Sequence, residues 1–298
     1  MQKINSVLKK YSLKPRRYEN NGKVTYIDTD NGRYVIKNKK ANKAIYQYLN
    51  SRSFDYYPPI ISDVNDDYEI SEYIEEIYIP DEQKIIDMVD LTALLHNKTT
   101  HYKEIDIADY KQIYEDINNN IAYLESYYSD LITLIETKVY MSPSEYLLAR
   151  NISKIYAALS FAKKEVETWY QLIKDKKKNR FVVLHNNLKL DHFLENRNSY
   201  LINWDKSKID IPIFDLYKLY KNHCLDFDFE EILKRYELSY PLMEDERKLF
   251  FILISLPDII EFNDTEYNVT KEISKKIDAI YKTEIFLSPY CFKDEPQD

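Results

Sequence analysis

Glycine is almost absent from this chain: Gly22 and Gly32 are the only two in 298 residues. Loops that cover the phosphates of a nucleotide use glycines to bring backbone N–H groups close to the phosphate oxygens. The sequence therefore offers little material for such a loop. In the hairpin predicted over residues 16–28, the turn Asn20-Asn21-Gly22 supplies a single glycine and is typical of an ordinary hairpin turn.

Cysteine and long apolar runs are also scarce. The two cysteines, Cys224 and Cys291, exclude a framework of several disulfides. No stretch approaches the roughly 20 consecutive apolar residues of a membrane-spanning helix. The first residues, MQKINSVLKKYSLK, lack the apolar segment of a signal peptide. We therefore expect a cytoplasmic protein without a membrane span.

Positive charge is outnumbered in this chain, where 42 lysines and arginines face 50 aspartates and glutamates, for a formal net charge of −8. Binding to nucleic acid requires a basic face. We therefore expect no nucleic acid as a partner. The one basic run, KDKKKNR at residues 174–180, predicts a solvated loop.

The sequence does contain enough apolar material for a folded protein, with 44% hydrophobic and 14% aromatic residues. Its periodicity predicts a β-rich region over residues 1–72, with strands at 24–28, 33–37 and 68–72 and one helix at 41–49. It predicts a helical region over residues 73–298, with helices at 82–97, 107–137, 143–175, 229–236, 244–256 and 270–281.

The helix predicted from Pro143 has a well-marked start. Ser142 is in the N-cap position, Pro143 is the first helical residue, and Glu145 follows Ser142 by three residues, which is the pattern of a capping box. Apolar residues then recur at steps of three and four and predict a face directed at the core. They are Leu148, Ile152, Ile155, Leu159, Ala162, Val166, Trp169 and Ile173.

Residues 185–205, HNNLKLDHFLENRNSYLINWD, have the spacing of a phosphotransferase active site with different side chains at its key positions. Such sites carry H-x-D-L-x-x-x-N, in which the Asp accepts the substrate hydroxyl proton and the Asn holds a Mg²⁺ ion. Here the frame begins at His185, the base position holds Asn187, and the metal-binding amide position holds His192. An amide has no protonation step near neutral pH, so Asn187 cannot act as a base.

A predicted strand at residues 200–204 follows this frame and places Asn203 at the position of the metal-binding aspartate. Mg²⁺ prefers hard oxygen ligands that include a carboxylate, whereas Asn203 offers a neutral carbonyl and His192 offers nitrogen. Asp191 and Asp205 lie close by in sequence, and either could supply a relocated Mg²⁺ site. The neighbouring histidines also raise a transition-metal site, although no second spaced pair supports one.

Several segments together resemble the aminoglycoside/choline phosphotransferase superfamily, which is protein-kinase-like, and most closely its branch named after the spore-coat protein CotS. The segments FVVLHNNLKLDHFL and YLINWD resemble the family's HGD…N and I-D-W-D/E motifs. The segment IPIFDLYKL, with Asp215, resembles the P-x-x-D-L that anchors the next helix, and DLTALLHNKT, with His96, resembles L-A-x-L-H. The segment GRYVIK, ending at Lys37, resembles the strand that supplies the nucleotide-contacting lysine. The late LSYPLMEDERKLFFILISLP resembles the CotS branch.

The resemblance implies a nucleotide site with Lys37 facing the phosphates and with Glu72, Tyr73 and Ile74 as the hinge whose backbone reads an adenine edge. In active relatives the lysine pairs with a glutamate of the following helix, but residues 38–50 contain no acidic side chain and Asn42 falls near the expected register. Two interpretations of Lys37 stay open, a nucleotide contact and a solvated surface residue.

The fold class predicted from this sequence is therefore α+β, in a two-lobed protein-kinase-like fold. It has a small β-rich lobe, residues 1–72, and a large helical lobe, residues 73–298, which carries the degenerate segment 185–205. We predict a catalytically inactive pseudokinase that acts by binding or scaffolding a protein partner or a small-molecule ligand, with no cofactor or weakly bound ATP. The family resemblance also allows a spore-coat location. The alternative is an active ATP-dependent kinase of a hydroxylated small molecule, with Mg²⁺ at a relocated site.

Overall fold

The structure is a computed structural model and describes residues 7–22, 24–38, 45–63, 66–105 and 107–291. It divides into two compact units. The first comprises residues 1–100, 182–210 and 234–240, and the second comprises residues 101–181, 211–233 and 241–298. These units do not test the predicted lobe boundary after residue 72, which stays a prediction.

The first unit contains a four-stranded antiparallel sheet in the order β1-β2-β3-β4. Its strands are β1 (Pro15–Asn21), β2 (Val24–Thr29), β3 (Gly32–Asn38) and β4 (Tyr68–Glu72), and helix α1 (Ile45–Ser51) lies between β3 and β4 in the chain. The sheet buries Ile27, Ile36 and Ile70 against Leu8 and Leu13. The predicted strands are confirmed, and β4 has the predicted bounds. The first residues of the helix predicted at 41–49, including Asn42, lie outside the described residues.

The first unit also holds the segment that resembles an active site. Helix α2 (Asp81–Thr99) precedes this segment in the chain. The strands in and around the segment are the end of β6 (Lys178–Leu184), β7 (Phe193–Glu195), β8 (Ser199–Leu201) and β9 (Lys208–Asp210). The last residues of β6 pair with β9, and β7 pairs with β8 in a short hairpin. One-turn 3-10 helices at Leu190–His192 and Trp204–Lys206 adjoin this hairpin.

His96 in α2 is fully buried, and its Nδ1 atom lies 2.6 Å from the Tyr236 hydroxyl. Its ring also contacts the ring of Tyr240. The helix was predicted to end at Asn97 and continues for two further residues to Thr99. In this structure His96 is a packing residue of the first unit.

The second unit is mainly helical. Its long helices are α3 (Ile107–Glu136), α4 (Pro143–Ile173), α5 (Ile213–His223), α7 (Glu244–Ser255) and α8 (Glu266–Cys291), and helix α6 (Phe229–Ser239) begins in it. Strand β5 (His101–Glu104) pairs with the first residues of β6. Helix α8 is much longer than the predicted 270–281. In the described part of the chain, no helix combines the length and the hydrophobicity needed to cross a lipid bilayer.

Helix α4 confirms the sequence argument for its start. The Ser142 hydroxyl accepts from the backbone N–H of Glu145, and the Glu145 carboxylate accepts from the backbone N–H of Ser142. The predicted core face is buried except at Ile152, which is half-buried. Trp169 is 1% exposed and packs edge-on against Tyr110 of α3.

The basic run 174–180 is a solvated loop only in its first part, where residues 174–177 form a turn and loop and Lys174 and Lys177 are exposed. Its last three residues belong to β6, and Arg180 is buried with its guanidinium donating to the Glu246 carboxylate. Lys176 lies 2.7 Å from Asp245. The prediction was wrong for Lys176 and Arg180, because their acidic partners lie some 65–70 positions away in sequence.

Candidate functional site

Lys37 is held by a carboxylate from the neighbouring strand. It lies directly opposite Glu69 in the β3–β4 register, and its Nζ is 3.1 Å from Glu69 Oε1. Directly opposed residues on one face of an antiparallel pair are contact neighbours. Only 15% of the Lys37 side chain and 5% of the Glu69 side chain is exposed. The expectation that Lys37 lacks an acidic partner is therefore wrong: the partner is on a strand, whereas the sequence search covered the helix.

Two further groups complete the surroundings of Lys37. Tyr46 of α1 donates its hydroxyl to the same Glu69 oxygen at 3.2 Å. Asp205 Oδ1, from the second 3-10 turn, lies 3.8 Å from Lys37 Nζ. Burial and then the charge of Glu69 raise the pKa of Tyr46, so this phenol stays protonated and can act as a donor. Lys37 is thus a partly buried ammonium between two carboxylates and is not a solvated surface residue.

The side chain of His185 hydrogen-bonds to the backbone of the site. It is fully buried directly after β6, and its Nε2 lies 2.8 Å from the carbonyl oxygen of Ile202, to which it must donate. Its ring packs edge-on against Trp204 at a centroid distance of 4.8 Å. These contacts fix the chain on both sides of Asn203, and the structure gives His185 a positioning role.

His192 and Asn187 are joined through the backbone of the segment. The Nδ1 atom of His192 lies 2.7 Å from the backbone carbonyl oxygen of Asn187, which can only accept, so Nδ1 carries the proton of this hydrogen bond. The 3-10 turn that ends at His192 is closed by the His192 N–H and the Lys189 carbonyl. The imidazole is therefore tied to the loop through one nitrogen.

Asn203 lies just after the hairpin strand. Its backbone is left-handed, with φ 64° and ψ 53°, and Trp204 directly after it is buried. The strand predicted over residues 200–204 was wrong at its end, because β8 stops at Leu201 and the chain turns at Asn203. Asparagine and aspartate tolerate this conformation better than most residues, so the backbone here is compatible with either side chain.

The predicted hinge follows β4, and part of its backbone is already engaged. The Glu72 N–H donates to the Pro59 carbonyl and the Tyr73 N–H donates to the Arg33 carbonyl, both at 2.9 Å. The Arg33 guanidinium lies over the Tyr73 ring, 4.5 Å from its centroid. The Ile74 N–H has no partner among the described residues, so it is the hinge donor open to a ligand.

A cavity of about 430 Å³ brings most of these residues together. Its lining includes seven residues that the sequence predicted, namely Lys37, Glu72, Tyr73, Ile74, Asp191, His192 and Asn203. His185, Asn187 and Asp205 are not part of the described lining. Asp205 contacts the lining residue Lys37 instead. Sequence reasoning missed Glu69, Tyr46 and Tyr57. A signal for Glu69 was present, since two adjacent predicted strands carry Lys37 and Glu69.

The charges around this cavity are mainly negative. Among its described lining residues, Lys37 is the one lysine or arginine, whereas Glu69, Glu72, Glu76 and Asp191 are carboxylates. Glu76 is paired with Lys84, and Lys37 is shared between Glu69 and Asp205. A polyphosphate without a counter-ion would therefore meet unfavourable electrostatics in this cavity.

The donor set does not fit the Mg²⁺ ion that active kinase-like enzymes use. The matched positions offer the amide of Asn203 and the imidazole of His192, and Mg²⁺ favours carboxylate oxygens. Of the two carboxylates close to these positions in sequence, Asp191 lines the cavity and Asp205 lies against Lys37. Within the described ranges, no group of three or more His, Cys, Asp and Glu side chains is arranged to hold a metal ion.

The chain contains a small antiparallel sheet with Lys37 on its third strand and a larger helical region. In solved structures the chain is similar to an aminoglycoside phosphotransferase from Alicyclobacillus acidocaldarius, with a TM-score of 0.65, 10% identity, and 95% of this chain and 92% of that chain covered. It is similar to a spectinomycin phosphotransferase in its AMP-bound complex, with a TM-score of 0.58, 11% identity and 99% of both chains covered. It is also similar to choline kinase LicA from Streptococcus pneumoniae, with a TM-score of 0.51, 17% identity, and 97% and 100% covered.

No protein-family model matches the chain, and no curated protein matches it in sequence. The structural neighbours nevertheless establish the fold: a mixed α/β fold of the aminoglycoside phosphotransferase type, with a small β-sheet region at the N-terminus and a larger helical region at the C-terminus. The predicted fold class is confirmed. Sequence identities of 10–17% support a conclusion about the fold only. The function of this chain has to be argued from its own site.

Proposed function

We propose that this chain is a pseudokinase: a protein with a kinase-like fold that does not transfer phosphoryl groups and acts by binding. The observation that carries the proposal is the pair His192 and Asn203, which line the cavity at the two positions matched to metal ligands. Phosphoryl transfer depends on metal ions that bridge the phosphates and neutralise developing charge. Neither side chain supplies the carboxylate that such an ion prefers.

The binding part of the proposal is supported by what the cavity retains. Its volume of about 430 Å³ lies within the usual range of small-molecule sites, roughly 300–1,000 Å³. Lys37 is held in place by Glu69 and Asp205. The backbone N–H of Ile74, which has no partner in the described part of the chain, offers a donor at the hinge. These features suit a ligand with a heteroaromatic edge and little negative charge, and they support weak binding of ATP at most.

Binding by such a protein serves a scaffolding role when the liganded conformation is the one that a partner recognises. The partner in this proposal is another protein, and the small-molecule ligand biases the chain towards the conformation that binds it. A location in a spore coat is the form of this role that the family resemblance suggests.

An active small-molecule phosphotransferase is the second candidate, and it has one observation in its favour. Asp191 lines the cavity, so a carboxylate does reach the space beside His192 and Asn203. An enzyme of this kind would have to use Asp191, and Asp205 after its release from Lys37, in place of the matched positions.

The two candidates are separated by calorimetry and a turnover assay on the full chain. We expect no ATP hydrolysis and no phosphorylation of choline, an aminoglycoside or a sugar. We also expect ATP to bind no more tightly with Mg²⁺ than with a chelator. Lys37→Met should weaken whatever nucleotide binding is measured, whereas Lys9→Met, at an exposed lysine outside the cavity, should not.

Turnover that requires Mg²⁺ and is lost in Asp191→Ala or Asp205→Ala, but retained in Asp67→Ala, would establish the enzyme instead. Asp67 is an exposed aspartate of the first unit outside the cavity lining. ATP that binds much more tightly with Mg²⁺ than with a chelator would also contradict the pseudokinase proposal.

A further inference from the structure

A cavity of the second unit lies between helices α4, α7 and α8, and its volume is about 260 Å³. Its wall includes Ala157, Ala158 and Phe161 of α4, and Ile280 and Leu287 of α8. The two alanine side chains end at Cβ, so they leave open a space that larger side chains would fill. Apolar walls of this kind are typical of small-molecule sites. The volume is just below their usual range of roughly 300–1,000 Å³, so this cavity suits a small ligand.

The hydroxyl groups on this wall are already used within the helices. Ser255, Thr283 and Ser288 line the cavity. Each donates its hydroxyl proton to a main-chain carbonyl of its own helix, at 2.8, 2.7 and 2.9 Å respectively. These groups have no proton left for a ligand, so the charged side chains of the wall determine which polar group is recognised.

Two charged side chains line the cavity, Lys154 of α4 and Glu284 of α8. Lys154 is half-buried, and its ammonium lies over the ring of Tyr281, 4.7 Å from the centroid. Glu284 is exposed. Neither charge has an ion-pair or hydrogen-bond partner in the part of the chain that the structure describes. Both charges are therefore available to a ligand.

The two charges differ in how strongly they can act on a ligand. Tyr281 holds the Lys154 ammonium beside the apolar wall by a cation–π contact, and a charge next to an apolar space is screened less than a charge in water. The exposed Glu284 carboxylate is screened by water and salt. Tyr281 and Glu284 are three positions apart on α8, so the ammonium and the carboxylate lie about one helical turn apart. An anion beside Lys154 therefore gains more than it loses to Glu284.

We propose that this cavity is a binding site for a small carboxylate with an apolar body, such as a medium-chain aliphatic acid. The apolar body occupies the space beside Ala157 and Ala158, and the carboxylate pairs with the Lys154 ammonium. The lining lies wholly in the second unit and shares no residue with the lining of the cavity that contains Lys37. The proposal therefore goes beyond the proposed function and does not require the chain to be catalytically inactive.

The test uses octanoate as the probe on the full chain, measured by titration calorimetry at neutral pH and constant ionic strength. Octanol and octylammonium, with the same alkyl chain, are the matched neutral and cationic probes. We expect saturable binding of octanoate and weaker binding of both other probes. Ala157→Leu fills the cavity and should strongly weaken octanoate binding. Ala122→Leu, at an exposed alanine of α3 outside the cavity, should not.

Variants of the two charges should change the affinity in opposite directions. Lys154→Met keeps an apolar side chain of similar length and should weaken octanoate binding by about two- to five-fold, as expected for a partly exposed ion pair. Glu284→Gln should strengthen octanoate binding, because it removes a nearby repulsive charge. Lys164→Met, at an exposed lysine of α4 outside the lining, should leave the affinity unchanged.

Three results would each overturn the proposal: no saturable binding of octanoate, octanol or octylammonium binding as tightly as octanoate, or equal losses in a cavity variant and its control. Weaker octanoate binding in Glu284→Gln would also contradict it. Lys154 is half-buried and Ala157 is exposed, so both variants are expected to fold, and circular dichroism checks this. The comparison of the three probes on the unaltered chain tests the charge preference even if a variant does not fold.

Discussion

The side chain at residue 203 determines how well the cavity lined by Lys37 and Asn203, the Lys37 cavity, can bind a divalent cation. Asn203 has no charge, so residue 203 adds no carboxylate to a lining that already contains Asp191. An aspartate at position 203 would repel its acidic neighbours unless a metal ion compensated them. The amide of Asn203 therefore avoids this repulsion, and the folded protein needs no metal ion to compensate it.

Restoring the carboxylates should make the folded protein depend on Mg²⁺. We expect Asn187→Asp combined with Asn203→Asp to lower the melting temperature in chelator by about 2–4 °C, on the order of 1 kcal/mol. Added Mg²⁺ should recover part of this loss, because a ligand that binds only the folded state stabilises it. Differential scanning calorimetry measures both changes. Activity is not expected to return without His192→Asn as well.

The control for this prediction is Asn119→Asp with Asn120→Asp, at exposed positions of α3, which changes the net charge by the same amount. It should shift the melting temperature little and should not respond to Mg²⁺. If the 187/203 double variant melts no lower than the wild type in chelator and ignores Mg²⁺, then the two positions do not face a common metal site. The alignment of this segment with active enzymes would then be wrong.

At the scale of elements, helix α4 shows how a charge contributes to a helix start. The ammonium of Lys138 and the backbone N–H of Ser142 hold the pKa of Glu145 below its usual range. A carboxyl whose pKa is lowered in the folded state stabilises that state above its unfolded pKa. The contribution is lost as the pH falls through the lowered, folded pKa.

Glu145→Gln should therefore destabilise the protein in a pH-dependent way. Glutamine can keep the capping hydrogen bond to Ser142 but cannot pair with Lys138. We expect a loss of about 1 kcal/mol at pH 7, which shrinks as the pH falls below the usual glutamate pKa, about 4.3. Urea unfolding of both proteins at several pH values measures this difference. A pH-independent loss, or the same profile in the exposed Glu136→Gln, would show that the Lys138 pair is not the cause.

Element boundaries were predictable where local chemistry sets them. The capping box of α4 and the bounds of β4 depend on consecutive residues, and both appear in the structure as predicted. The end of β8 was not predictable in this way, because the turn depends on Asn203 adopting a left-handed backbone between the anchored residues Ile202 and Trp204. Arg180 was misread for a similar reason, since its partner Glu246 is distant in sequence.

At the scale of the whole molecule, the sequence predicted which residues form the Lys37 cavity better than it predicted their charges. The order of segments that resembles the kinase-like fold was sufficient to place Lys37, the hinge and Asn203 around one cavity. The pairing of Lys37 with Glu69 requires the strand register, which motif matching does not supply. A further cavity, of about 640 Å³, was beyond sequence reasoning, because it is assembled from short pieces around residues 46, 56, 69 and 200 that match no motif.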